Sequence, residues 1–84
     1  MQIDVIWDIE TDPLGNVQHI AQHGLDQDDV EHAVTYAIYE GTSDSSGYPL
    51  LYGPRCDGRE IVVIYEEIDD THIYPITAYI RERH

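Results

Sequence analysis

The chain has 84 residues, 42% hydrophobic and 25% charged, which fits one folded domain over residues 1–84 and excludes a disordered polymer. Seventeen acids stand against four arginines and no lysine, a formal net charge of −13, and every arginine lies at or beyond residue 55. Such a field repels phosphate backbones and anionic membranes and attracts basic partners, although a saline cytoplasm favours the same acid-rich surface. Cys56 stands alone, so an internal disulfide and a cysteine metal cluster are excluded. The N-terminal stretch has no basic n-region, and no window approaches the roughly 20 apolar residues that span a bilayer, so a soluble, cytoplasmic protein is expected.

"IDVIWDI" alternates, with Ile3, Val5, Trp7 and Ile9 on one side and Asp4 and Asp8 on the other, and predicts a half-buried strand. Pro13 and Gly15 break it. Asn16 is placed to cap a short helix over Val17–His23, which Gly24 ends in the left-handed conformation with Leu25 folding back. A second helix is predicted from Gln27 to about Tyr39, with Asp26 as N-cap and acids at 28, 29 and 31 on the positive end of its dipole. Val30, Ala33, Val34, Ala37 and Ile38 give its apolar stripe, and Gly41 its end.

"GTSDSSG" is a polar loop without the lysine and glycine spacing of a phosphate-binding loop. "YPLLYGPR" predicts a strand, Asp57-Gly58 a tight turn, and "EIVVIYEEI" a central strand apolar on both faces. "HIYPITAYI" predicts a last strand that either bulges at Pro75 or lies at an edge there, because proline cannot donate to a ladder. The expected fold is α+β in the order β-α-α-β-β-β, an antiparallel meander with two helices on one face.

His19 and His23 stand four residues apart, a spacing at which two imidazoles can hold one ion. No glutamate follows His19 as a base, and a third ligand would have to come from Asp8 or Glu31. The bland reading makes His23 a residue of the last helical turn, bonding free carbonyls, and His19 a partly exposed residue bonding a neighbouring loop. No metal or other cofactor is expected. Arg59 and Arg81 fall near each other if the last two strands pair antiparallel, and could then face a common anion; the plainer alternative pairs Arg59 with Glu60 or Glu82. "EEIDD" lacks the ligand spacing and turn glycine of a calcium loop and reads as a solvated acidic turn. Cys56 has no neighbouring base to make it a nucleophile.

"WD", "NVQHIAQHGLDQDDVEHAV", "YGPRCDGREIVVIYEE" and "YPITAY" together resemble the BrnT-like toxins of bacterial type II toxin–antitoxin systems, over Trp7 to about Tyr79. The resemblance implies a RelE/ParE-type fold and a metal-independent ribonuclease, in which the RNA 2′-hydroxyl attacks the adjacent phosphate while the protein supplies a base, an acid and cations. On this carry-over the candidate catalytic residues are His19 and His23 in the helix motif and Arg59 in the hairpin. Tyr79 stands where the family's closing strand carries arginine, and Arg81 is its substitute by a two-residue shift. The partners implied are a cognate antitoxin or other basic protein, RNA against an unfavourable net charge, and a second copy of the chain. The alternative within the same fold is a non-catalytic module that binds a basic partner through its acidic second helix or the strand edge near Pro75.

Overall fold

A computed structural model describes residues 3–55 and 57–81; Cys56, Glu82 and Arg83 lie outside the described residues. Chain order is β1 (Asp4–Val5), α1 (Asn16–Ala21), α2 (Gln27–Thr35), β2 (Tyr39–Thr42), β3 (Pro49–Pro54), β4 (Glu60–Glu67) and β5 (His72–Ile80). The fold is α+β, with two helices and one five-stranded mixed sheet in the spatial order β1-β5-β4-β3-β2. No helix among the described residues is long and apolar enough to cross a membrane.

Strand β4 has the central place its composition predicts, with Ile61, Val62 and Val63 buried in succession. Strand β5 pairs with it antiparallel, and the register slips between Ile64–Thr77 and Tyr65–Pro75, so the ladder bulges next to the proline. The strand is bordered on its far side by β1, which runs parallel to it through Asp4–His72 and Val5–Ile73.

Three expectations are corrected. The sheet is mixed, because β1 pairs parallel with β5, and it has an extra strand, because the chain leaves α2 at Thr35 with Tyr36 as its C-cap and re-enters the sheet at Tyr39. Ala37 and Ile38 extend the helical apolar spacing, yet both are exposed; pairing of Tyr39 with Tyr52 and Gly41 with Leu50 outweighs their helical preference. The first strand is only Asp4–Val5, and Ile9 is exposed in the loop beyond it. Asn16 is the first residue of α1 with Gly15 as its cap, since the Asn16 amide is engaged in tertiary bonds.

The α2 start follows its sequence. Asp26 accepts from the Asp29 N–H at 2.9 Å while Asp29 accepts from the Asp26 N–H at 3.1 Å, a reciprocal capping box. Gly24, at φ 78°, ends α1, and Leu25 N–H reaches back to the Ile20 carbonyl at 3.1 Å. The core joins Ile20, Leu25, Val30 and Ala33 from the helical segments to Leu51, Ile61, Val63, Tyr65, Ile73 and Ala78 from one face of the sheet. Gly53 lets α2 approach β3: a Cβ there would lie 2.7 Å from the Ala33 Cα and closer still to its carbonyl.

Candidate functional site

The signature before α1 is a clamp. Buried Asn16 donates its side-chain amide to the carbonyls of Ile6 and Pro75 at 3.1 and 3.0 Å and accepts from the Asp8 N–H at 2.9 Å. Asp8 Oδ2 accepts from the Asn16 N–H at 2.9 Å and from the Tyr74 hydroxyl at 2.5 Å. These bonds hold the Asp8 carboxyl below the ordinary carboxylate range, the tyrosine having the larger effect, and the same contact pushes Tyr74 up to about 12. Asp8 and Asn16 of the motif are thus a strand–helix joint, while the Trp7 indole N–H donates to Glu31 of α2 at 3.2 Å.

On this joint stand the two histidines. Their rings meet edge to face at 5.3 Å, as i, i+4 spacing requires, and His19 Nε2 shares a hydrogen bond with Thr77 Oγ1 of β5 at 2.9 Å. His19 borders an open depression of about 330 Å³ with Gly15, Asn16, Tyr74 and Ile76. His23 lies beyond the C-cap, Gln22, and so outside the last helical turn where it was expected. Among the described residues no three His, Cys, Asp or Glu side chains are grouped to hold a metal ion.

The arginines occupy a second place. Arg59 and Arg81 border one depression, also about 330 Å³, with Gly58, Glu60 and Ile80. Their proximity follows from the β4–β5 register, and the Arg81 N–H donates to the Glu60 carbonyl at 2.8 Å. Each guanidinium meets a carboxylate: Arg81 meets Glu60 at 2.9 Å and Arg59 meets Asp57 at 3.6 Å, while Glu82, one of the partners expected for Arg59, lies outside the described residues. Arg55 meets Asp29 of the capping box at 3.2 Å. Neither histidine lines the arginine depression.

The Arg81 Cζ also lies 4.3 Å above the Tyr52 ring centroid, and Tyr52 stacks on Tyr39 at 4.8 Å. Register places Tyr39, Tyr52, Val62 and Tyr79 in one row across β2, β3, β4 and β5. This row faces away from the helices, since the alternate residues Leu51, Ile61 and Val63 point into the core. Val62 is 3% exposed yet outside the core cluster; its row neighbours Tyr52 and Tyr79 flank it. Tyr79 and Tyr39 remain substantially exposed.

Sequence reasoning therefore named Tyr79 and Arg81 on this face but missed Tyr39 and Tyr52. Tyr39 was hidden by its assignment to the second helix, while Tyr52 was legible only as one residue of an alternating strand. No family model, curated protein or solved structure matches the chain.

Proposed function

We propose that this chain is a BrnT-like protein of a toxin–antitoxin pair that works by binding a basic protein, the antitoxin encoded beside it. One observation carries the choice of binding over RNA cleavage: all three described arginines are engaged by carboxylates, at 3.2, 3.6 and 2.9 Å, in a chain of net charge −13. An RNA phosphate would have to displace those carboxylates and enter an acidic field. A basic protein is drawn by the same field and finds a solvent-facing sheet with the row Tyr39, Tyr52 and Tyr79, residues of the type enriched at protein interfaces.

Expression with and without the adjacent gene tests this. Intact cellular RNA with the chain alone, and a complex isolated when both genes are expressed, support binding; RNA breakdown by the chain alone, with no complex, overturns it.

A second reading, a metal-independent ribonuclease, is favoured by the shared depression of Arg59 and Arg81. It requires RNA cleavage that Arg59→Ala and Arg81→Ala each abolish.

A further inference from the structure

The sheet extends beyond the end of α2, and its helix-side face is uncovered where β4 ends and β5 begins. A cavity of about 220 Å³ lies there, with Val34, Leu51 and Ile73 among its apolar lining. Its carboxylates are Glu40 from β2, Glu67 from β4, and Asp69 and Asp70 from the following turn. Asp69 is held down to about 2, chiefly by the Thr71 N–H at 2.9 Å and by His72 at 2.8 Å, so it is ionised throughout the physiological range.

Tyr65 supplies an observation independent of the acids. Its ring is buried, with the residue 6% exposed, while its hydroxyl lines the cavity, has no hydrogen-bond partner among the described residues and is open to solvent. A buried ring that leaves its hydroxyl oxygen free at a cavity wall offers that oxygen to whatever enters the cavity. Burial first, then the charges of Glu40 and Glu67, raise its pKa, so the group at the cavity wall is a neutral phenol inside a negative field.

An apolar floor, a polar hydroxyl and a negative rim select a cation carried on an apolar stem. A hard metal ion needs oxygen ligands all round, which this lining does not offer. The volume lies below the roughly 300 Å³ of small-molecule sites and suits one long side chain. Guanidinium is the better head group, because it is more weakly hydrated than ammonium and its planar fork can serve carboxylate and phenol oxygens together.

We propose that this cavity is the receptor for an arginine side chain of the basic partner; the source of the arginine rests on the binding reading given above. The stem lies over Val34, Leu51 and Ile73, and the head group meets Tyr65, Glu40 and Glu67.

The test uses n-butylguanidinium as probe, with neutral, isosteric n-butylurea as control, against the whole chain without any partner. Amide chemical shifts are followed by NMR. The site predicts saturable shifts at Val34, Glu40, Tyr65, Glu67 and Ile73 with the cation and none with the urea. Glu40→Gln/Glu67→Gln should weaken the cation by about tenfold or more. Tyr65→Phe, which keeps the ring and the packing, should weaken it as well. Equal shifts from butylurea, shifts spread evenly over all the acids, or no shifts at all overturn the cavity proposal. Because no partner protein is present, these failures leave the partner-binding reading to its own test.

Discussion

The Tyr74 hydroxyl donates to Asp8 Oδ2 at 2.5 Å and so ties the first part of β5 to the segment that follows β1. The folded phenol holds its proton to about pH 12, against an ordinary value of 10. Because the folded pKa is raised, the stabilisation is complete below pH 10 and is lost as the pH climbs toward 12. Asp8 and Asp69 act in the opposite direction: their folded pKa values are depressed, so their contributions are complete above the ordinary 3.8 and vanish as the pH falls, for Asp69 toward about 2. Urea unfolding of the natural chain and of Tyr74→Phe should therefore show a stability difference that is full at pH 7 and shrinks between pH 10 and 12. A difference that stays constant across that window contradicts the assignment.

Asn16 should be the most sensitive polar position. Its amide satisfies carbonyls on two separate segments, Ile6 and Pro75, and its Oδ1 satisfies the Asp8 N–H. Asn16→Ala leaves these groups without it in a buried setting, at a cost of about 3 kcal/mol. The check is a lowered denaturation midpoint with an unchanged denaturant slope.

Gly53→Ala tests how closely α2 approaches the sheet. The added methyl meets the Ala33 backbone, which cannot rotate away as a side chain can, and destabilisation of about 2 kcal/mol or more is expected. Thermal unfolding reads it directly; a neutral effect would mean that the helix and β3 are farther apart.

His19 and His23 separate binding from catalysis. His19 is exposed and has Thr77 as its hydrogen-bond partner, and His23 lies outside the helix proper. His19→Gln and His23→Gln should each cost under about 1 kcal/mol and leave partner affinity unchanged in a calorimetric titration. Loss of an RNA-cleaving activity in either variant would favour the ribonuclease reading instead.

Much of the fold is legible in the residues. The continuous apolar run Ile61–Ile64 marks the central strand, Pro75 marks the ladder irregularity, and Gly24 and Asp26 mark the end of one helix and the start of the next. Strand β2 was not legible, since Ala37 and Ile38 continue the period of α2 and only pairing with β3 decides between helix and strand. Asn16 reads locally as a cap because Ile6 and Pro75, which it bonds, are remote in sequence. The same limit applies to function. The hairpin register was enough to bring Arg59 and Arg81 together, but the row Tyr39, Tyr52, Val62 and Tyr79 depends on a four-strand register that begins in the unrecognised strand.

The central claim is that an acidic, tyrosine-faced module binds a basic protein encoded beside it. Its most direct test is calorimetric titration of the purified chain with that protein at low and at about 1 M salt, where exposed charges are screened within roughly 3 Å. The account predicts saturable binding that weakens with salt and weakens again with Tyr79→Ala, while RNA incubated with the free chain stays whole. No heat of binding at either salt, together with RNA cleavage that Arg81→Ala abolishes, would contradict it.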